Sequence, residues 1–433
     1  MLRTAFATAL RRASRSGPSY VGVSILSPSP PPPPLRLVHH DAQNGSTASA
    51  NPTVLQAINY ALSNARSKKS DESYREGTMI LEQCLNAQLS EDQAGQNSMG
   101  TLLLAMAHLL YESGNIDDAY VKLKGVLDLT ETSLGVRAAA CESAFGLSLQ
   151  LGLDDDSTKI ADNFLQLLEE GELKGDGGGF EVLRARARAV KGLAEFVKGN
   201  IESAEWFFQG LHGNCNGNAA LSYGEFLHAT RNFSLAKELY QQLIKEVHKN
   251  VNFSDINTLG VCNMAPNEVL LAATFALGQL EMHMGNFVDA EEILTKVLIK
   301  IEEQFGPHHP KVGVVLTCMA LLFRNKARQE GSSSLLIQEG LYRKALGYLN
   351  PPPVDVEGLD VTKINGRDMA ALARGGYAEI LCVQQHRKRE GEKLKSWAEN
   401  AWRNRRMSLA VAVDFPEAAN VVPVIDARVI RVL

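Results

Sequence analysis

A small residue, an Asn eight positions on, an Ala four further and a large apolar residue four beyond that recur four times in this chain without an error of spacing. The sets are Ala107, Asn115, Ala119, Leu123; Gly192, Asn200, Ala204, Phe208; Gly224, Asn232, Ala236, Tyr240; and Gly278, Asn286, Ala290, Leu294. An offset of four places the Ala and the large residue on one helix face, while the Asn marks the turn after the preceding helix. Each unit therefore reads as helix, tight turn, helix. Such a unit cannot bury its apolar stripe alone and must stack on its neighbours. Arg231 stands where the other three units have Gly, which leaves the geometry of that turn open but not its helices.

The pattern resembles the tetratricopeptide repeat. That resemblance implies an all-α, right-handed superhelical solenoid of antiparallel helix pairs, which binds partners rather than performing chemistry. A hydrophobic content of 45% with only 6% aromatic residues suits helix-on-helix packing. The segment EILTKVLIKIEEQFGPHHPKVGVVLTCMALLF resembles the longer repeat of the kinesin light chain type, in which a Gly-Pro-x-His-Pro turn joins two units; Gly306, Pro307, His309 and Pro310 fit it. The two prolines stop one helix and permit the next.

Residues 1–40 carry five arginines and no acid, and a helix through them would set Leu2, Phe6 and Leu10 against the arginines, as in an organellar transit peptide. Early arginines favour the mitochondrion, so the expectation is the mitochondrial matrix, with the Ser/Pro-rich stretch Ser24–Pro34 suiting a chloroplast as the alternative. Removing that +5 from the net −5 leaves −10 for residues 41–433, a poor balance for non-specific nucleic-acid binding. Residues 41–51 read as a polar linker, 52–412 as the solenoid and 413–433 as an extended C-terminal tail. The tail, FPEAANVVPVIDARVIRVL from Phe415, suits an edge strand seeking a partner or a segment packed back along the terminal helices.

Within the body, Pro52–Arg66 and Tyr74–Leu89 form a degenerate first pair, and a second degenerate unit keeps Gly146 as its small residue and Leu149, with Thr158 at the expected Ala and the turn reading GLDDD. GELKGDGGGF (171–180) and NPPPVDVEGLDVTKING (350–366) are breaks, and RQEGSSS lengthens a late turn. A last helix pair is expected over Asp368–His386 and Glu392–Ala412. The stretch Val312–Phe323 is far shorter than the ~20 residues needed to cross a bilayer.

No HExxH, Gly-x-Ser-x-Gly, Walker lysine or dinucleotide-binding glycine pattern occurs, so neither catalysis nor a cofactor is expected. Six scattered cysteines without Cys-x-x-Cys spacing read as reduced thiols, and His308 and His309 lack a third metal ligand. What the repeat resemblance implies is a groove lined by first helices, at six and three residues before the small position and one and four after it. In this chain those positions give Leu104, His108 and Tyr111; Gln150; Arg186, Leu193 and Phe196; Leu221, Glu225 and His228; and Phe275, Gln279 and Met282. This mixed lining suits an amphipathic helix or an extended segment of a partner protein, and the same residues could serve inter-repeat packing. Leu104, His108, Phe275 and Gln279 stand where a chaperone-tail clamp needs lysines and asparagines, which argues against that mode. The expectation is a protein-binding scaffold or assembly factor. The alternative is an RNA-associated repeat protein using the basic run Arg387–Arg406, in which Trp397 and Trp402 are interleaved.

Overall fold

The computed structural model describes residues 51–87, 92–174, 180–211, 217–247, 260–354, 364–415 and 420–433. The expected transit segment 1–40 and all of the linker but Asn51 lie outside the described residues, as do 175–179 of the first break and 355–363 of the second. Seventeen α-helices are described, and sixteen of them form eight consecutive pairs. In chain order these are α1 (Pro52–Lys68) with α2 (Asp71–Asn86), α3 (Gln93–Glu112) with α4 (Ile116–Leu127), α5 (Leu134–Gln150) with α6 (Asp154–Lys174), and α7 (Phe180–Val197) with α8 (Ile201–Gln209). There follow α9 (Gly217–Ala229) with α10 (Phe233–Val247), α11 (Pro266–His283) with α12 (Phe287–Phe305), α13 (Pro310–Gln329) with α14 (Leu335–Leu349), and α15 (Arg367–Val383) with α16 (Lys388–Ala401). The first helix of each pair also packs on the first helix of the next, from α1 through to α15, so the first helices make one continuous row. None of the described helices is long and apolar enough to cross a membrane.

The repeated spacing has a direct physical meaning in this packing. A Cβ added to Gly192 would lie 2.9 Å from the Phe208 ring, one on Gly224 2.7 Å from Tyr240, and one on Gly278 2.9 Å from Leu294. Each small residue on the first helix thus makes room for the large residue sixteen positions later on the second. The turns are equally uniform: the N–H groups of Asn115, Asn200, Asn232 and Asn286 donate to the carbonyls five residues back, at 2.7–2.9 Å. The residue before each Asn has positive φ, between 67° and 87°, and Arg231 adopts it as Gly114, Gly199 and Gly285 do. The turn that the Arg left open in the sequence therefore has the same geometry as the others.

The second unit departs from the register expected for it. Gly152 has φ 75° and the Leu153 N–H donates to the Ser148 carbonyl at 2.8 Å, which makes Leu153 the counterpart of the Asn. Counting back eight puts Phe145, not Gly146, at the small position, and Ala161 stands at the large one. Both are fully buried. Big and small have changed places between the two helices, which hid the register from a search for a small residue first.

The Gly-Pro-x-His-Pro turn separates α12 from α13 with Gly306 at φ 91°, and His309 caps α13 by accepting from the Lys311 N–H at 3.2 Å. The last expected helix, by contrast, does not run from Glu392 to Ala412. It stops at Ala401, the loop Trp402–Ser408 turns inward, and a short α17 (Leu409–Asp414) follows, capped by Ser408. The loop has its own supports: Asn404 Oδ1 accepts from the Arg406 and Met407 N–H groups, at 2.8 and 3.1 Å, and the Trp402 indole donates to the Met407 carbonyl at 2.8 Å. Beyond it, β1 (Ile425–Asp426) and β2 (Arg431–Val432) form an antiparallel hairpin with Ile425 opposite Val432 and Asp426 opposite Arg431.

Candidate functional site

Second and first helices differ sharply in how they are covered. Helix α12 buries one stripe, Ala290, Leu294, Val297 and Ile301, as a helix with one wet face must. Helices α5, α9, α11 and α15 are buried around most of their circumference. Their second helices cover one side, and three segments of the same chain cover the other.

The first segment is the turn Gly260–Ala265. The Val261 carbonyl accepts from Ser143 Oγ at 2.9 Å, and the Cys262 N–H donates to His108 Nδ1 at 3.1 Å. Gly146 allows the approach, since a Cβ there would lie 2.6 Å from Asn263 Oδ1. The second segment is the loop after α16. Arg406 lies over the Phe196 ring at 4.1 Å and reaches the Ala229 carbonyl at 3.4 Å, and burial lowers its pKa to about 10. Asn404 Nδ2 donates to the Val432 carbonyl at 2.9 Å, tying this loop to the third segment.

The third segment is the C-terminal hairpin, whose residues 422–433 are all buried. Gln279 on α11 pairs with both backbone groups of Ile425: its Oε1 accepts from the N–H at 2.8 Å and its Nε2 donates to the carbonyl at 2.9 Å. Arg428 is fully buried and donates to Asp426 Oδ2 at 2.8 Å, to Ser222 Oγ at 3.3 Å, and to Glu225 and Asn218 on α9. Burial alone would lower the Arg428 pKa, but Asp426 and Glu225 outweigh it and hold the guanidinium charged. Burial, helped by Asp426, raises the Glu225 pKa well above the ordinary value against the pull of Arg428. Arg431 is gripped by Asp154, with oxygens at 2.5 and 3.0 Å, and by Asp368 at 3.4 Å. Burial raises the Asp368 pKa, opposed by Arg431.

All thirteen residues expected to line the groove are buried. The structure brings several of them together around these segments. His108 holds Cys262, Phe196 lies under Arg406, and Glu225 and Gln279 hold the hairpin. Arg186 pairs instead with Glu142 on the neighbouring first helix, Nε to Oε2 3.1 Å. Leu193 lines a cavity of about 10 Å³ beside Arg428. Gln150 and Arg431 both line another, of about 20 Å³, while Gln150 Oε1 has no hydrogen-bond partner. His228 Nε2 meets His283 Nδ1 at 2.8 Å; burial lowers both pKa values, that of His283 to about 3. Leu104, Tyr111, Leu221, Phe275 and Met282 are packed as core side chains.

The corrected register of the second unit puts Ala139, Glu142, Gly146 and Leu149 at its inner positions, and of these Glu142 and Gly146 meet Arg186 and Asn263. The acceptors Asp154 and Asp368 were missed because they lie at helix starts, outside the repeat offsets. Asp426, Arg428 and Arg431 carried a readable signal: charges at two- and three-residue intervals in an otherwise apolar tail. Among the described residues, no group of three or more His, Cys, Asp or Glu is placed to hold a metal ion, and the five described cysteines are unpaired. What this face can do chemically is hold extended polypeptide, through a side-chain amide that reads backbone and carboxylates that read guanidinium. No protein-family model matches the chain, and no curated protein is detectably similar to it in sequence.

Proposed function

We propose that this chain is a non-catalytic protein-binding scaffold or assembly factor of the tetratricopeptide-repeat type. In this reading its helix pairs are antiparallel, their superhelix is right-handed, and residues 1–40 direct it to the mitochondrial matrix. The observation that carries the reading is the Gln279–Ile425 amide pair on the inner row, with Glu225 and Asp154 holding arginines beside it. It is the contact set by which a repeat protein would hold a partner's extended segment, here made to the chain itself.

The RNA-associated reading draws less support. Within the basic run, Arg387 pairs with Glu339 and Glu390, Arg406 faces Phe196, and Arg403 binds the Gly152 carbonyl at 3.4 Å. Trp397 is buried under Arg374, 3.8 Å from the ring centre, and is not free to stack on bases.

Proximity labelling by the full-length chain in cells, followed by mass spectrometry, tests the proposal. A reproducible set of matrix proteins is expected. A labelled set no different from that of an inert matrix-targeted control would contradict it.

A further inference from the structure

We propose that the inner face is a seat for an extended, arginine-bearing segment of a partner protein, and that Val422–Leu433 occupies it in cis as a pseudo-ligand. This rests on the scaffold reading above and names the partner chemistry it requires.

The seat discriminates by chemistry that is independent of most of the tail sequence. Gln279 bonds only backbone atoms and so accepts any residue in an extended conformation. Glu225, Asn218 and Ser222 converge on one guanidinium, and Asp154 with Asp368 on a second, three residues further along. A bidentate carboxylate such as Asp154 selects Arg over Lys, because two parallel N–H donors match its two oxygens.

Several features mark the hairpin as removable rather than as ordinary core. Ile430, a β-branched residue, is held at φ 52°, a left-handed conformation that persists only under the constraint of its surroundings. Its seat is incompletely satisfied: Glu225 Oε1 and Gln150 Oε1 lack hydrogen-bond partners, and small cavities adjoin both Arg428 and Arg431. Both arginines are held to the body by ion pairs, with Glu225 and with Asp154 and Asp368, whose desolvation cost offsets much of their attraction. A competing segment with two arginines at the same spacing remakes the pairs with Glu225, Asp154 and Asp368.

The test has two arms. In the unaltered full-length chain, hydrogen exchange of the Ile425 and Leu433 amides is expected to be at least tenfold faster than that of amides within α9 and α11. In the full-length Arg428→Ala variant, a fluorescent synthetic peptide of residues 420–433 is expected to bind saturably, and at least tenfold more tightly than to the unaltered chain. The same peptide carrying Arg428→Ala should lose at least tenfold in affinity, a change that leaves the protein untouched. Collapse of the Arg428→Ala chain, or tail amides that exchange only in step with α9 and α11, would make the hairpin core and overturn the proposal. Concentration-dependent dimers formed by exchanged hairpins would assign the seat to a second copy and also overturn it. Matrix partners labelled by a chain whose hairpin never opens would leave the scaffold reading standing and remove only this one.

Discussion

At the scale of single residues, the fold rests on pairs of side chains matched in size across two helices. Gly224→Ala sets a methyl against the buried Tyr240 ring, 2.7 Å away, and overpacking of this kind costs about 1–3 kcal/mol. Part of that cost should return in Gly224→Ala with Tyr240→Leu, and urea unfolding of the four variants gives the coupling directly. Strict additivity would contradict the size-matching account. The turn makes a second prediction. Arg231 bears a positive φ that Gly carries in three sister turns, so Arg231→Gly should raise stability by about 0.5–1 kcal/mol, as the left-handed penalty is relieved. At Gly199 the position where a Cβ would sit is 3.5 Å from the nearest side chain, so Gly199→Ala should destabilise through the backbone alone. These residues were legible because a contact between two helices sixteen positions apart leaves a mark in the sequence. Phe145 and Ala161 were not, since the same volume divided in the opposite way shows no small residue at the expected place.

Elements show where local rules were overridden. Residues 392–412 have a helical sequence, yet α16 ends at Ala401 because Asn404 ties the loop to its own backbone and to Val432. That tie joins residues whose relation is tertiary, and no periodicity announces it. Helices α9 and α11 meet through the His228–His283 pair, with Phe415 against His283 at a ring separation of 4.6 Å. Burial depresses both histidine pKa values, so the folded state resists protons that the unfolded chain accepts. Their contribution is whole above the unfolded value near 6.5 and is lost as pH falls toward the folded values, at up to about 1.4 kcal/mol per pH unit for each ring. His283→Gln removes one such loss. The stability gap between wild type and variant, measured by urea unfolding at pH 7, 6 and 5, should therefore narrow as pH falls; a constant gap would contradict the buried neutral pair. The raised pKa of Glu225 works in the opposite direction in both proteins and cancels in the difference.

For the molecule as a whole, stacking of helix pairs could be read from the chain, but what lies against the row of first helices could not. His108, Phe196, Glu225 and Gln279, which the repeat offsets picked out, all contact the covering segments, while the partner of Gln279 is 146 residues away along the chain. A Val- and Ile-rich tail fits an edge strand and a buried hairpin alike; only its partners decide. The consequence for mutagenesis is concrete. Phe196→Ala and Phe275→Ala, which an open groove would tolerate, should each cost about 3–5 kcal/mol because both rings are fully buried. Hydroxyl-radical footprinting of the intact chain measures side-chain access to water directly and so tests the filled inner face most plainly. The account predicts that Phe196, Phe275 and Met282 react far more slowly than the outward Trp206, Val288 and Leu336; inner side chains oxidised as fast as Trp206 would show an open groove and contradict it.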